Sequence, residues 1–233
     1  MPQLPNVAAF ILAGGASSRM GRNKGLLKIA GEPLILRTAR VLEPLVSRVT
    51  VIGPAGLYRK VGLRAVPDKI PGIRKVAAYQ GPLAGIVTAL AFTSSPWNLI
   101  LACDLPYLTA EWIELLLSRA VQSNAKAFVP RTPEGLEPLA AVYRREAYAP
   151  LAEAFRKGVR KMTDALAMIP VETIALQDFT VAGQNSLTLK NMNTPEDFKA
   201  AEEWWSLRKP RKIDGLNDLN LPRPERSAPR RNK

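Results

Sequence analysis

The sequence predicts an α/β fold with a Rossmann-like, mainly parallel sheet carrying helices on both faces. Two observations lead there. Short continuous apolar runs, such as Val7-Ala8-Ala9-Phe10-Ile11-Leu12 and Leu99-Ile100-Leu101-Ala102, stop abruptly at Gly14-Gly15 and at Cys103-Asp104. Runs of that kind read as strands buried on both faces. Between them lie segments whose apolar residues recur at helical spacing, so strand and helix patterns alternate through the first 125 residues. That alternation is the mark of β-α-β units.

The elements follow in order. Val7 to Leu12 is the first strand, and Asn23 to Leu27 crosses a loop. Gly31-Glu32-Pro33 opens a helix, with proline at a position the first turn tolerates, and Leu34, Leu36, Val41, Leu42 and Leu45 supply its apolar residues. Val49 to Ile52 is the second strand and Leu63 to Val66 a short third one, ending at Pro67-Asp68. Gly81-Pro82 starts a helix with Leu83, Ile86, Val87 and Leu90 on one face. Asn98 to Ala102 is a strand, and Thr109 caps a helix carrying Trp112, Ile113, Leu115, Leu116 and Leu117. The remainder is more mixed. Ala127 to Pro130, Leu139 to Tyr143 and Val171 to Leu176 read as strands, and Glu146 to Lys157 and Lys161 to Met168 as helices. Thr194-Pro195-Glu196-Asp197 is a strong helix start, with a cap, a first-turn proline and two acids facing the helix dipole.

Composition narrows the chemistry. Histidine is absent and Cys103 is the single cysteine, which excludes Ser-His catalysis, histidine-ligated metals, cysteine zinc sites and an internal disulfide. Any enzyme on this chain works with carboxylates, Lys, Arg, backbone amides or a hard metal ion. The net charge of +13 is unevenly spread: residues 207–233 hold nine Lys/Arg against three Asp/Glu. Residues 1–208 are therefore expected to form one domain, and residues 209–233 a basic, disordered tail. The body's basic balance suits an anionic partner, although a solvated basic surface accounts for the charge alone. No apolar run approaches about 18 residues and Met1 to Asn6 does not resemble a signal peptide, so a cytoplasmic protein without a membrane span is expected.

The segment from Leu12 to Lys24 carries most of the chemistry. It follows a buried strand, at the sheet edge where open α/β folds bind ligands. Gly14 and Gly15 permit a sharp turn and close backbone approach, their amides can cradle phosphate, and Arg19 and Lys24 add positive charge. The Walker and dinucleotide glycine patterns are both missing. Read without further context, the segment is a phosphate loop or a glycine turn with two surface cations. Asp104 ends another buried strand at the same edge. It either partners Mg²⁺, which usually takes one or two carboxylates and several waters, or caps the next turn. Asp68 ends a third strand; it is a ligand contact or a loop residue beside Lys69. Asn191 and Asn193 alternate onto one side just before a helix N-terminus, where anions are favoured; capping explains them almost as well. Cys103 reads as a small apolar residue and not a nucleophile.

Leu12-Ala13-Gly14-Gly15, then Arg19-Met20-Gly21, then Lys24 resembles the glycine-loop signature of sugar-phosphate and cofactor nucleotidyltransferases, which have a nucleotide-diphospho-sugar transferase-like fold. Together with Gly81-Pro82-Leu83-Ala84-Gly85, Cys103-Asp104-Leu105-Pro106-Tyr107 and Asn191-Met192-Asn193-Thr194-Pro195-Glu196, it is similar to the molybdenum cofactor guanylyltransferases over roughly residues 7–206. The resemblance implies transfer of GMP from GTP to the terminal phosphate of the molybdenum-pterin cofactor, with release of pyrophosphate. It implies Arg19, Lys24 and Asp104 as catalytic residues and Asp104 as the Mg²⁺ ligand. Leu12, Ala13, Gly14, Gly15, Lys24, Asp68 and Asp104 would bind GTP, and Gly81, Arg160, Asn191 and Asn193 would face the pterin. An asparagine that contacts nucleotide in the family can follow the second strand, where this chain has Ile52-Gly53. Molybdoenzymes and cofactor-synthesis proteins are further candidate partners. The competing readings are a cytidylyl transferase on the same pterin, whose first loop tends toward L-A-A-G, a sugar-1-phosphate nucleotidyltransferase, and a nucleic-acid-binding protein acting through the tail.

Overall fold

The computed structural model of the protein describes residues 6–14, 23–70, 81–175, 178 and 187–207. The chain begins with strand β1 (Val7–Leu12), whose residues are almost wholly buried. A tight hairpin of β2 (Lys28–Ile29) and β3 (Glu32–Pro33) follows. Its turn residues, Ala30 and Gly31, both have positive φ (51° and 84°), as a two-residue hairpin turn of the right twist requires. Here the structure departs from expectation. Pro33 closes the hairpin and stands just before helix α1 (Leu34–Leu42), outside its first turn. Strand β4 (Arg48–Ile52), a five-residue helix α2 (Ala55–Arg59), strand β5 (Ala65–Val66) and helix α3 (Pro82–Ala91) come next. Helix α2 was not expected: five residues are too few to show a helical period.

Strand β6 (Trp97–Ala102) leads to helix α4 (Ala110–Ala120), where the Thr109 hydroxyl accepts from the amide of Trp112, as its capping role requires. Then come β7 (Ala127–Thr132), a short β8 (Gly135–Leu136), β9 (Ala140–Arg144), α5 (Tyr148–Arg156), α6 (Met162–Leu166), β10 (Val171–Ala175) and α7 (Pro195–Ser206). The expected start of α5 at Glu146 is instead a 3₁₀ turn over Arg145–Ala147. Leu176, the expected end of β10, lies outside the described residues, as does the tail beyond Leu207.

The main sheet runs β10-β7-β9-β6-β1-β4-β5, with β8 paired to β7. Strand β1 pairs in parallel with both β4 and β6, and β5 joins β4 in parallel. Strand β9 runs antiparallel between β6 and β7, and β10 pairs in parallel outside β7. The sheet is therefore mixed but mainly parallel. Alternate residues of β1 feed two cores. Val7, Ala9 and Ile11 pack with Ile35, Leu42, Trp112 and Leu116 on one face. Ala8 and Phe10 pack with Leu83, Ile86, Leu151 and Phe155 on the other. Helices cover both faces, so the central strands β1 and β6 are almost wholly apolar and ligand-binding groups are expected at the strand ends. A third, smaller cluster of Ile29, Leu34, Tyr107, Met192 and Ala201 docks α7 against the hairpin. Among the described residues no helix is long and apolar enough to cross a membrane.

Candidate active site

The chain segments that leave β1, β4, β5 and β6 meet at the C-terminal edge of the parallel strands. Backbone bonds hold them together past the strand ends: Ala13 N–H to Ile52 O at 2.8 Å, Gly53 N–H to Val66 O at 3.1 Å and Cys103 N–H to Leu12 O at 3.1 Å. Two clefts of about 260 Å³ each open there. The first is lined by Leu12, Ala13, Gly14, Lys24, Asp68 and Gly81, among others. The second is lined by Leu105, Glu137, Pro138, Met162, Asn191 and Asn193, among others. Pro82, Ala102, Asp104 and Leu139 line both, so Asp104 stands in the wall the two clefts share.

Lys24 joins three distant segments at this wall. Its Nζ lies 3.0 Å from Asp104 Oδ2 and donates to Asn193 Oδ1 at 2.7 Å. Both members of the ion pair are about four-fifths buried, where attraction is screened less than at the surface. The Asn193 segment is anchored from behind. Met192 is fully buried and its amide donates to Asp104 O at 2.9 Å. Asp197 Oδ2 accepts from the amides of Asn193 and Thr194, each at 3.0 Å, while the Thr194 hydroxyl accepts from Asp197 N–H. Capping is thus performed by Thr194 and Asp197, which leaves the Asn193 side chain to Lys24. Those amide bonds also hold the Asp197 carboxyl below its ordinary range.

Asp68 faces the first cleft. One oxygen accepts from the Thr88 hydroxyl at 3.1 Å. The other lies 3.3 Å from where a Cβ at Gly14 would sit. Burial pushes this carboxyl above its ordinary value. Gly53 has a physical reason to be glycine, since a Cβ there would meet Ala13 C and O at 2.9 Å. The backbone of the first loop takes the space that a side chain after β4 would need. Tyr58 was not foreseen from sequence. Its hydroxyl donates to Asn23 Oδ1 at 2.8 Å and lies 3.3 Å from Ala13 O, so it braces both described ends of the glycine loop. Asn23 Oδ1 also accepts from Gly25 N–H at 3.0 Å.

Of the expected site residues, Leu12, Ala13, Gly14, Lys24, Asp68, Asp104, Asn191 and Asn193 come together here. Gly81 lines the first cleft and not the second. Arg160 lines neither. Its guanidinium donates to the carbonyls of Phe155 and Val159 and stacks on the Phe155 ring, which fastens the end of α5. Gly15 and Arg19 lie outside the described residues. Cys103 is no thiolate: burial first, and Asp104 next, push its thiol up to about 12. Glu137, Met162 and Leu139 join the site without having been singled out in the sequence. No short motif marks them, because β8, the turn after it and α6 bring them in.

A family profile described as "MobA-like NTP transferase domain" matches residues 9–170. The chain belongs to the MobA-like NTP transferase family. It is 33% identical over 199 residues to a probable molybdenum cofactor guanylyltransferase of Synechococcus elongatus, covering 84% of this chain and 98% of that protein. It is 33% identical over 193 residues to a molybdenum cofactor guanylyltransferase of Pseudomonas putida, covering 82% of this chain and 95% of that one. Among solved structures, molybdopterin-guanine dinucleotide biosynthesis protein A of Archaeoglobus fulgidus superposes with a TM-score of 0.73 at 24% identity, over 86% of this chain and 99% of that one. A 2-C-methyl-D-erythritol 4-phosphate cytidylyltransferase of Thermus thermophilus superposes at 0.61 and 20% identity, over 85% and 98%. These structural likenesses concern the fold. As a MobA-like NTP transferase, the protein is a nucleotidyltransferase.

Proposed function

We propose that this MobA-like transferase moves GMP from GTP to the terminal phosphate of the molybdenum-pterin cofactor, releasing pyrophosphate and forming molybdenum cofactor guanine dinucleotide. One observation carries the reading: two clefts of similar size meet at a wall bearing Asp104, with Lys24 bonded to it. A transferase needs a donor site and an acceptor site whose reacting phosphates come together.

In this reading GTP occupies the first cleft. The backbone of Ala13 and Gly14 approaches its phosphates or base, and Lys24 neutralises phosphate charge. Asp68 repels phosphate; its carboxylate suits the adjacent N–H and amino donors of guanine. The acceptor occupies the second cleft, beside Asn191 and Asn193. A phosphate oxygen of the acceptor attacks the α-phosphorus of GTP, a new P–O bond forms, and the bond to the β-phosphate oxygen breaks as pyrophosphate leaves. That nucleophile is already ionised at neutral pH, so no histidine base is needed, consistent with a chain that has none. Catalysis is positioning and charge neutralisation.

Asp104 fits a magnesium ion. Its Oδ1 has no protein hydrogen-bond partner among the described residues. No cluster of three or more acidic or sulfur ligands occurs among them, and Mg²⁺ bound with nucleotide typically takes few carboxylates, with phosphates and waters completing its shell. Bound there, Mg²⁺ would neutralise charge on the triphosphate. A cytoplasmic setting and the basic tail as a separate unit belong to the same reading. The test is thermal-shift screening of GTP, CTP, ATP and UTP with Mg²⁺, since a ligand that binds the folded state raises its stability. GTP should give the largest shift; an equal or larger shift with CTP would replace this reading with cytidylyl transfer.

A further inference from the structure

The second cleft contains a carboxylate that none of the steps above uses. Glu137 lies just after β8 and lines that cleft together with the apolar side chains of Leu105, Pro138, Leu139 and Met162. Its backbone is fixed on both sides: the amide donates to Pro130 O at 2.8 Å and the carbonyl accepts from Ala140 N–H at 3.1 Å. Its Oε1 accepts from the Thr132 hydroxyl at 3.1 Å. Oε2 has no protein donor, and no cation pairs with the residue, among the described residues.

The two clefts are chemically alike in this respect. In the first, Asp68 is a part-buried carboxylate braced by the Thr88 hydroxyl at 3.1 Å. In the second, Glu137 is a part-buried carboxylate braced by the Thr132 hydroxyl at the same distance. Burial pushes both carboxyls above their ordinary values, and Glu134 adds to the effect at Glu137. A carboxylate held away from water without a cation is costly unless a ligand supplies N–H donors. Guanine and a 2-amino-4-oxopteridine present the same edge: a ring N–H beside an exocyclic amino group. Each can give a carboxylate two parallel hydrogen bonds.

We propose that Glu137 is the ring-selecting residue of the acceptor site, its carboxylate taking the ring N–H and 2-amino group of a 2-amino-4-oxopteridine. The inference rests on the acceptor reading of the second cleft. The apolar side chains supply faces for a flat ring, and Glu137 supplies its edge recognition. Asn193 lies toward the shared wall through Lys24, which also bonds Asp104, where the acceptor's phosphate must reach. A 2,4-dioxopteridine turns a carbonyl toward the carboxylate where the pterin turns an amino group, so the site rejects it.

The experiment measures binding of 2-amino-4-oxopteridine and of 2,4-dioxopteridine to the full chain by ring fluorescence, for wild type and Glu137→Gln. The wild type should prefer the amino ring by about tenfold or more, as expected for a hydrogen bond to a charged group. In Glu137→Gln that preference should fall by about the same factor, because the carboxamide presents one donor and one acceptor. Melting temperature is read alongside. A glutamine avoids burying charge, so it should not lower the melting point. Thr132→Val, which removes the brace and keeps the carboxylate, should retain the preference for the amino ring. Equal binding of both rings by the wild type, binding of neither at millimolar concentration, or an unchanged ratio in Glu137→Gln would overturn the proposal. A purely structural Glu137 would lower the melting point and leave the ratio alone. Guanylyl transfer is assayed separately. If ring preference holds but no GMP is transferred, the reaction assigned above fails and the ring site stands; transfer without ring preference does the reverse.

Discussion

Gly14→Ala adds one methyl group at the point where the glycine loop passes Asp68. The new Cβ would sit 3.3 Å from Asp68 Oδ2, 3.7 Å from Gly53 Cα and 3.8 Å from Asp68 Cβ. Gly14 is not among the positive-φ glycines, so the methyl and not the backbone decides the outcome. Two of the contacts are ordinary; the first is tight and must relax by a few tenths of an ångström. The carboxylate cannot swing freely because Thr88 holds its other oxygen. Overpacking of this kind costs about 1 kcal/mol at its low end, which predicts a melting point lower by a few degrees. The larger effect falls on GTP. If the displaced carboxylate loses a hydrogen bond to guanine, about 1.5 to 3 kcal/mol of binding goes with it, or roughly tenfold to a hundredfold in Kd. Cytosine offers one amino donor where guanine offers two adjacent donors, so CTP should be weakened less. Isothermal titration of both nucleotides, with Mg²⁺ present, measures the difference. Unchanged GTP affinity would remove Asp68 from the nucleotide site. Equal weakening of GTP and CTP would move its contact from the base to the ribose.

Four further outcomes are expected. Asp104→Asn keeps size and removes charge, so kcat should fall about 100-fold or more, with a lower melting point from the lost ion pair to Lys24 but a folded chain; near-normal turnover at saturating Mg²⁺ refutes the metal role. Asp197→Ala removes the acceptor for the Asn193 and Thr194 amides and should cost about 1 kcal/mol of stability, measured by urea unfolding. Because its carboxyl is depressed in the folded state, Asp197's contribution is present above the ordinary aspartate range and lost as pH falls through the lowered value, so wild type and variant should converge in strong acid. Asp68 is raised by burial, so the folded state keeps its proton at higher pH than the unfolded chain does. Acid therefore favours folding through this group but weakens its acceptance of guanine donors, and GTP affinity should begin to fall above the ordinary aspartate range. Truncation after Arg208 should leave the rate of GMP transfer unchanged and should weaken any low-salt association with acidic partners; a large loss of transfer rate would mean that the tail serves the active site.

The sheet and its ligand edge were legible because burial on both faces forces continuous apolar runs, and such runs are hard to disguise. The ends of β1 and β6 therefore placed Gly14 and Asp104 correctly at one edge. Lys24 and Asn193 were found through short motifs, although their bond across 169 residues was not visible in either. The missing parts share a cause. Tyr58 sits on a five-residue helix, and Glu137 follows a two-residue strand; neither element is long enough to declare a period. Their roles come from what lies opposite them in space. Arg160 shows the converse. The family resemblance faced it toward the pterin, but its guanidinium donates to the carbonyl of Phe155 in α5 and to that of Val159, its neighbour in the loop after that helix.

The lysine that ties Asp104 to Asn193 also sets a schedule for synthesis. Lys24 and Asp104 emerge from the ribosome early, and the sheet strands through β10 are complete by Ala175. Met192, Asn193 and the capping residues of α7 come last. Until they arrive, the 191–193 side of the second cleft is missing, and the cluster of Ile29, Leu34 and Tyr107 lacks Met192 and Ala201. At translation speeds of about 5–20 residues per second, the nascent chain spends about a second or more with every strand of the main sheet synthesised and the 191–193 side of the second cleft still missing. Assembly of the complete site thus waits for a segment translated after every strand of the main sheet.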